Sequence, residues 1–286
     1  MVLRLGTRAS ALARAQAEQV RAALLARHVG LVVEPVLIRT TGDRLARDPL
    51  AAVGGKGLFL KEIEEALVAG TIDFAVHSMK DVPARLAEGC VIAAVPARAD
   101  PRDVLVGGGG VLAGLPPGTR VGTASVRRRA QLLARRCDLV VDVLRGNVDT
   151  RLARWRAGAF DCLVLAAAGL ARLGVVVPEA RPVPTDELLP AVGQGALALE
   201  CRADDARTRA LLGELEDPAA RTAIAAERAF LAAIGGDCGT PLAAHATVGV
   251  RGLRLRAEVL APDGVRRLAA AGEGAVAEAE ALGRRL

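Results

Sequence analysis

Residues 120–136 have the sequence RVGTASVRRRAQLLARR, which passes from a short apolar strand through a Gly-Thr turn into a helix. Ser125 can cap that helix, whose first turn then carries Arg127 and Arg128. The N-terminus of a helix already bears partial positive charge, so arginines there are unfavourable unless they serve to bind an anion. The stretch therefore predicts an α/β unit with an anion site at the carboxyl end of a strand, in preference to a solvated run of charge.

Arginines also follow the next two strands that the sequence predicts. The strand Leu139–Val143 leads into a turn that contains Arg145 and Arg151, and the strand Asp161–Ala166 precedes Arg172. The carboxyl ends of parallel strands meet at one edge of a sheet, so these arginines should converge there. Because a guanidinium group pairs with a carboxylate through two hydrogen bonds, the pattern predicts a ligand with several negative charges.

The alternation of strands and helices extends toward the N-terminus. There we expect helices after Ser10 and at Leu58–Val68, and strands at Val2–Gly6, Leu31–Ile38, Asp73–Val76 and Val91–Pro96. This order predicts a parallel sheet with right-handed connections. The polar residues 98–103 and four consecutive glycines at Gly107–Gly110 indicate a domain boundary followed by a flexible loop.

The pattern changes after a predicted strand at Ala196–Cys201. A long helix at Pro218–Ile234 is followed by strands near Ala244–Val250, Leu253–Leu260 and Val265–Ala271 and by a final helix from Ala275 onward. The sequence thus predicts an α/β protein with two doubly wound, mostly parallel-sheet domains, a cleft with a hinge between them, and a small C-terminal α+β domain. We expect domain 1 to comprise residues 1–97 plus 192–215, domain 2 residues 98–191, and domain 3 residues 216–286.

The composition narrows the class of protein. The 286 residues are 52% hydrophobic and 24% charged, which is enough apolar surface to form packed cores. The formal net charge is +6, and only Lys56, Lys61 and Lys80 among the 38 cationic residues are lysine. Such a charge fits either a solvated surface or a site for a polyanion. With 4 Phe, 1 Trp and no Tyr, the chain offers few stacking platforms for single-stranded nucleic acid.

Membrane and metal classes are also disfavoured. The longest apolar run, Cys162–Ala171, is too short to span a membrane, and charges within the first strand are unlike a signal peptide. The 5 cysteines are widely spaced and include no C-x-x-C pair, which favours reduced thiols in the cytoplasm. The 3 histidines lie far apart, so we expect no metal site.

Three further loops carry residues suited to binding or catalysis. Arg8 and Ser10 lie where the first strand meets the first helix. Lys56 lies in a glycine-rich run that lacks the spacing of a phosphate-binding loop and suggests a mobile lid, or an ordinary turn. Asp81 follows a strand end beside Lys80, where a carboxylate can act as acid, base or cation stabiliser, or form a surface salt bridge.

Cys238 stands in a glycine-rich loop with the sequence GGDCGTP. The other cysteines lie in or next to predicted strands, where a thiol is usually inert. A thiol flanked by glycines is accessible and can serve as a nucleophile or an attachment point, although a turn that merely contains cysteine is the alternative. No histidine is near in sequence, so a Cys-His pair cannot be located.

Together these motifs resemble the porphobilinogen deaminase (hydroxymethylbilane synthase) family over essentially the whole chain. The matching stretches, in the family's order, are GTRAS at 6–10, GGKGLF at 54–59, HSMKDVP at 77–83, GT at 122–123 with RR at 127–128, RGNVDTR at 145–151, GQG at 193–195 and the Cys238 loop. One such motif is modest support, whereas seven in order are highly specific.

The resemblance implies a fold and an activity. It implies two domains of periplasmic-binding-protein type and a third that carries the cysteine. It also implies a transferase of tetrapyrrole (haem) biosynthesis that joins four porphobilinogen units head to tail, releases ammonia each time and hydrolyses off linear hydroxymethylbilane. The units are added to a dipyrromethane cofactor that a thioether holds. We expect a cytoplasmic monomer with porphobilinogen as its partner, and no nucleic acid or membrane.

The resemblance also assigns roles to residues. It makes Cys238 the covalent anchor, and Asp81 the catalytic carboxylate that stabilises the cation left when the amino group departs and handles pyrrole N–H protons. Cofactor contacts are expected from Lys80, Asp81, Ser125, Arg127, Arg128 and Gly146. Substrate contacts are expected from Arg8, Ser10, Thr123, Arg145, Arg151, Arg172 and Gln194, and Lys56 would belong to a lid over the cleft.

The anchor loop departs from the family pattern. The family usually has Glu-Gly-Gly-Cys, whereas this chain has Gly-Gly-Asp-Cys and keeps the spacing from cysteine to Pro241. A carboxylate at Asp237 should raise the pKa of the neighbouring thiol.

Two rival functions use the same residues differently. A solute-binding module for a small polyanion would need the cleft but no reactive cysteine. A basic nucleic-acid-binding protein would spread its arginines over one outer face and lose affinity steeply with salt. The placement of arginines at strand ends argues against the second rival.

Overall fold

The computed structural model describes residues 1–41, 60–237 and 239–286. Its strands, in chain order, are β1 (Val2–Arg8), β2 (Val32–Ile38), β3 (Phe74–Ser78), β4 (Cys90–Ala94), β5 (Asp103–Gly107), β6 (Arg120–Gly122), β7 (Val140–Asp142), β8 (Cys162–Ala166), β9 (Ala180–Pro182), β10 (Leu197–Arg202), β11 (Leu242–Gly249), β12 (Gly252–Leu260) and β13 (Arg267–Gly274). Its α-helices are α1 (Ala11–Arg27), α2 (Lys61–Val68), α3 (Val126–Arg135), α4 (Val148–Arg156), α5 (Ala167–Leu173), α6 (Ala206–Gly213), α7 (Pro218–Ile234) and α8 (Ala279–Arg285).

Two five-stranded sheets share one topology. The first has the order β2-β1-β3-β10-β4 and the second the order β7-β6-β8-β5-β9. In each sheet four strands run in the same direction and one, β10 or β5, runs against its two neighbours. The predicted α/β class with mostly parallel sheets is therefore confirmed, and each sheet includes one antiparallel strand.

The reversed strands are the places where the chain changes sheets. After β4 the chain enters the second sheet as β5, and after β9 it returns to the first sheet as β10. The two crossing segments touch, since the backbone N–H of Ala99 donates to the carbonyl of Gly195 at 3.2 Å. Gly195 has φ +89°, and a Cβ there would lie 2.4 Å from the Ala99 oxygen, so the approach requires glycine.

Helix α1 illustrates how the sequence builds the first layer. Ser10 caps it by accepting a hydrogen bond from the backbone N–H of Ala13 at 3.3 Å. Its buried positions include Ala17, Val20 and Leu24, which recur at helical spacing and pack on the first sheet. Full burial of a side chain such as Leu24 contributes about 1.5–3 kcal/mol to stability, so this stripe holds the helix against the sheet.

A third unit follows the two sheets. The antiparallel strands β11, β12 and β13 form its sheet, and α7 and α8 pack against each other beside it. This arrangement confirms the predicted small α+β unit. None of the helices described is long and apolar enough to cross a membrane.

A buried glutamate joins this third unit to the crossing segments. Glu227 of α7 is fully buried and pairs with Arg98 at 2.6 Å from Oε1 to Nη1. The same carboxylate accepts backbone N–H bonds from Gly193 at 2.7 Å and from Ala246 of β11 at 2.8 Å. One side chain therefore fixes both crossings and the third sheet, because every oxygen has a donor from a different segment.

Three elements were not predicted from the sequence: β5, β9 and α6. Asp103–Gly107 had been assigned to a boundary and a flexible loop, because Pro101 precedes it and four glycines end it. The structure gives those glycines positive φ values between +61° and +82°, which form a tight turn after a buried strand. The apolar run of three residues in β5 is too short to stand out against such flanks.

Candidate functional site

The arginine-bearing strand ends lie at one edge of the second sheet. Strands β7, β6 and β8 are adjacent and parallel, so their carboxyl ends share that edge. Ser125 caps α3 there by accepting from the backbone N–H of Arg128 at 3.3 Å. The buried hydroxyl of Thr123 accepts from the backbone N–H of Ser125 at 3.2 Å, which fixes the turn before the cap. The predicted strand–turn–helix unit is present.

A buried carboxylate organises the first two arginines. Asp103 of β5 is fully buried; its Oδ2 lies 2.9 Å from Arg127 Nη2 and its Oδ1 lies 2.7 Å from Arg128 Nη2. Gln194 also donates to Asp103 Oδ1 at 2.8 Å. Burial alone would raise the pKa of Asp103, but the charges of the two arginines and these hydrogen bonds bring it down to about 2.

The same two guanidinium groups also bond to backbone carbonyls. Arg127 donates to the carbonyl of Leu189 at 2.6 Å, and Arg128 donates to that of Val164 at 2.9 Å. Both side chains are buried, and Arg127 keeps one buried nitrogen, Nε, without a hydrogen-bond partner. Arg127 and Arg128 are therefore pre-positioned beneath the edge rather than extended into solvent.

Arg151 and Gly146 lie in the next loop of the same edge. Asn147 caps α4 by accepting from the backbone N–H of Thr150 at 2.8 Å, and Arg151 Nε donates to the Gly146 carbonyl at 2.8 Å. Burial and the nearby charge of Arg128 lower the pKa of Arg151 to about 10. Arg145 is half-buried in the same loop.

Arg172 connects the second sheet to a crossing segment. It follows β8 on α5, and its Nη2 donates to the carbonyl of Gly195 at 2.7 Å. Burial lowers the pKa of Arg172, and its Nε is buried without a hydrogen-bond partner. The Gln194 amide lies beside this contact and donates to the Pro101 carbonyl at 2.7 Å, so the hinge region and the arginine edge are contiguous.

The first sheet contributes a pocket at the carboxyl ends of β1 and β3. Asp81 ends a short 3-10 helix, Met79–Asp81, directly after β3. The pocket is lined by Arg8, Ser10, Leu12, Ala13, Gln16, Leu60, Val76, His77, Ser78 and Asp81. Predicted substrate and catalytic residues of domain 1 therefore lie together.

Lys80 links the two halves of the site. It is half-buried, and desolvation lowers its pKa, with Asp81 and Asp103 acting in the opposite sense and Arg127 and Arg128 adding to the decrease. The charged neighbours of Lys80 therefore come from both sheets. The structure thus brings together, across the cleft, the side chains that the sequence had placed in separate motifs.

Two of the predicted residues, Lys56 and Cys238, lie outside the described residues. The neighbours of the cysteine are described. The carboxylate of Asp237 accepts from the backbone N–H of Gly239 at 2.9 Å and from the hydroxyl of Thr240 at 3.1 Å. The side chain that departs from the family pattern therefore bonds to the residues that follow position 238.

The site contains supporting residues that the sequence did not single out. Asp103 and Glu227 are ion-pair partners, and Gln16 of α1 donates to the Ser78 hydroxyl in the pocket at 2.7 Å. The sequence does contain a signal for Asp103 and Glu227, because each is an acidic residue beside or within an apolar run. A charge in such a position requires a buried partner, although the sequence does not identify it.

Comparisons with known proteins agree with this geometry. A family model described as "Porphobilinogen deaminase, dipyromethane cofactor binding domain" matches residues 3–210, and one described as "Porphobilinogen deaminase, C-terminal domain" matches residues 221–286. Curated relatives named porphobilinogen deaminase include those of Rubrobacter xylanophilus, 53% identical over 99% of this chain and 91% of the relative, and Syntrophotalea carbinolica, 51% identical over 98% and 90%.

Solved structures with a similar course include periplasmic-type binding proteins. The aliphatic sulphonate binding protein SsuA from Escherichia coli has a TM-score of 0.43 and 16% identity, covering 82% of this chain and 70% of that one. The methionine binding protein MetQ has a TM-score of 0.44 and 14% identity, covering 75% and 89%. The sheet topology and the family matches, rather than these distant likenesses, carry the assignment. The chain belongs to the porphobilinogen deaminase family, and it is a transferase of tetrapyrrole biosynthesis with a dipyrromethane cofactor-binding domain.

Proposed function

We propose that the facing edges of the two large sheets form the active site, with Asp81 as its catalytic carboxylate and Cys238 as the thioether anchor. The observation that carries this proposal is the geometry of the two strand-end edges: Asp81 lies in one pocket with Arg8 and Ser10, and Asp103 holds Arg127 and Arg128 at 2.9 and 2.7 Å. The reaction is the head-to-tail joining of four porphobilinogen units with release of ammonia, followed by hydrolysis to linear hydroxymethylbilane.

The charge of the cleft fits a dipyrromethane that carries several carboxylates. Among the described residues of this region, cations outnumber carboxylates: Lys80, Arg127, Arg128 and Arg151 are set against Asp81, Asp103 and Glu258. The buried Nε of Arg127 adds a donor without a partner. When bound, the cofactor supplies the pyrrole carbon to which the first unit is joined. The residues that would contact the cofactor and its carboxylates are Lys80, Ser125, Arg127, Arg128 and Gly146.

Asp81 supplies the fixed negative charge. Positive charge develops on porphobilinogen as its amino group leaves, and a carboxylate placed beforehand lowers that barrier without having to reorient. The same oxygens can accept a pyrrole N–H. The short 3-10 helix after β3 points Asp81 into the pocket that also contains Arg8 and Ser10, so charge stabilisation and substrate binding occur side by side.

The remaining polar groups would bind the acetate and propionate arms of the substrate. Arg8, Arg145, Arg151 and Arg172 lie at or after three strand ends, those of β1, β7 and β8, with Ser10, Thr123 and Gln194 beside them. Each hydrogen bond to a carboxylate contributes on the order of 1.5–3 kcal/mol. The buried Nε of Arg172 without a partner is one such donor.

The proposal also includes the domain boundaries, the lid, the cellular location and the oligomeric state. We assign domain 1 to residues 1–97 plus 192–215, domain 2 to 98–191 and domain 3 to 216–286, with Lys56 on a lid over the cleft. We further propose a cytoplasmic monomer with no nucleic-acid or membrane partner. Sedimentation of the purified protein at several concentrations checks the oligomeric state.

Turnover of porphobilinogen tests the function directly. Purified protein should release ammonia in step with porphobilinogen consumption, and linear hydroxymethylbilane should accumulate. A module that only binds polyanions would show affinity for porphobilinogen without ammonia release. A nucleic-acid-binding protein would instead bind DNA with an affinity that falls steeply as salt rises.

A further inference from the structure

A cluster of buried ionisable side chains lies beneath the segment that carries Asp81. His77 of β3 has its Nε2 2.9 Å from Oε2 of Glu200 on β10, and their side chains are only 4% and 1% exposed. Glu64 of α2 is close enough to Glu200 for the charge of Glu200 to raise the pKa of the Glu64 carboxyl. Neither carboxylate has a part in the reaction described above, so the cluster requires its own explanation.

The hydrogen-bond requirements of the cluster define where its protons must be. An ionised carboxylate only accepts hydrogen bonds, and both buried oxygens of Glu200 lack a donor unless its neighbours carry protons toward it. His77 can supply one from Nε2, and a protonated Glu64 can supply the other. Glu64 also accepts from the backbone N–H of Ala87 at 2.9 Å, which fixes its orientation.

Environment favours the protonated form of Glu64. Burial is the main cause that raises the pKa of this carboxyl, and the charge of Glu200 raises it further, against the bond from Ala87. The charge of His77 lowers the pKa of Glu64, and the other ionisable groups near the two carboxylates include Cys90 on β4, Cys201 on β10 and Arg228 on α7. Burial raises the pKa of Cys90 to about 12, so that thiol stays neutral.

The cluster holds the catalytic segment from both ends. His77 lies four residues before Asp81 on the same strand and 3-10 helix. On the other side, Arg228 donates to the carbonyls of Val82 at 3.3 Å and Pro83 at 2.9 Å. Burial lowers the pKa of this half-buried arginine, and the charge of Glu200 opposes that decrease. One carboxylate thus interacts with the groups that fix the backbone before and after Asp81.

We propose that Glu200 is a positioning residue for Asp81, and that it acts through His77 and Arg228 with Glu64 as its second proton donor. This inference rests on the proposed role of Asp81. Glu200→Gln keeps an oxygen that can accept from His77 but removes the negative charge that His77 and Arg228 face, so the 3-10 helix is held less firmly. Misplacement of a catalytic group by about 1 Å lowers turnover on the order of a hundredfold.

The first test compares Glu200→Gln with the matched control Glu65→Gln, whose side chain on α2 is 61% exposed. We expect Glu200→Gln to lower kcat at least tenfold, with KM within about twofold of the wild type and the cofactor still present by intact mass. The control should match the wild type. A kcat within twofold of the wild type would overturn the proposal. A KM that rises in step with a loss of cofactor would also overturn it, because that pattern indicates general disorder.

The second test needs no turnover and so separates this inference from the proposed function. A raised pKa in the folded state means that the folded protein binds the proton of Glu64 more tightly than the unfolded chain does. This contribution to stability is complete at low pH and is lost as the pH rises through the raised pKa. The free energy of unfolding, measured with urea at several pH values, should therefore fall more steeply with rising pH in the wild type than in Glu64→Gln. The amide of that variant still donates a hydrogen bond. Parallel curves would contradict the proton assignment, whereas failure of the wild type to consume porphobilinogen would contradict only the function.

Discussion

Asp103 and Arg128 form a fully buried ion pair, with 2.7 Å between Oδ1 and Nη2. Asp103 begins β5, the strand that runs against the rest of its sheet, and Arg128 lies in the first turn of α3. The pair explains how a helix N-terminus can carry arginines in the absence of a ligand. The protein supplies one carboxylate of its own, which aligns two guanidinium groups and leaves further cations for the ligand.

Replacement of Asp103 by Asn should destabilise the protein. The amide keeps the shape of the side chain but leaves Arg127 and Arg128 buried without a counter-charge, and breaking a buried pair in this way costs about 3–5 kcal/mol. Urea unfolding measures the change. Glu18→Gln, which removes an exposed partner of Arg21, is the control and should have little effect. Equal stability of the two variants would show that Asp103 does not organise the edge.

Lowering the pH should reduce the free energy of unfolding, because the carboxyl of Asp103 becomes protonated. Its pKa of about 2 lies below the ordinary value of 3.8, so the stabilisation is complete above about pH 4 and is lost as the pH falls toward 2. This difference in pKa corresponds to roughly 2 kcal/mol in the free energy of unfolding. Unfolding free energies measured from pH 5 to pH 2 should fall more steeply in the wild type than in Asp103→Asn. Identical slopes would contradict the assignment.

Asp81→Asn should separate catalysis from assembly. The substitution removes the negative charge but keeps the size of the side chain, so ammonia release should fall by on the order of 10²–10³. Asp81 is only half-buried, so the unfolding midpoint should stay close to that of the wild type. The intact mass should still include the cofactor. Near-normal ammonia release would exclude Asp81 from the proposed role.

Asp237→Asn should make the thiol of Cys238, the proposed cofactor anchor, more reactive. The amide oxygen can still accept from Gly239 and Thr240, so the turn persists while the charge beside Cys238 disappears. The pKa of the thiol should fall, and alkylation of cofactor-free protein near neutral pH should be faster, with mass spectrometry of the labelled peptide as readout.

The other cysteines allow this measurement to be specific. Burial raises the pKa of Cys90 and Cys162 to about 12 and that of Cys201 to about 11, so they should react slowly. Cys137 is exposed and is best replaced by Ser in both proteins. An unchanged alkylation rate would mean that Asp237 acts on the turn alone.

Much of the fold could be predicted from the sequence, because its signals are local. The strand ends that carry Arg127, Arg145 and Arg172 were each visible from an apolar run followed by turn residues, and their convergence followed from the parallel order of β7, β6 and β8. Ser125 as a helix cap likewise depends on neighbours within three residues.

The partners of those arginines could not be predicted, because they depend on contacts distant in sequence. Asp103 pairs with residues 24 and 25 positions away, and Glu227 reaches Arg98 across 129 positions. Strand β5 was missed because its apolar run is short. Glu200 stands in an apolar strand and so signals a buried partner, but His77 and Glu64 come from other elements. Pairings of this kind follow from the crossing of the chain between two sheets.

The intact mass of the purified protein tests the central claim most directly. Protein from a host that makes porphobilinogen should be heavier than its sequence mass by one dipyrromethane, and Cys238→Ser should have the plain sequence mass, with Cys137→Ser as the matched control that keeps the addition. An active preparation with no added mass, or an addition that persists in Cys238→Ser, would contradict the account.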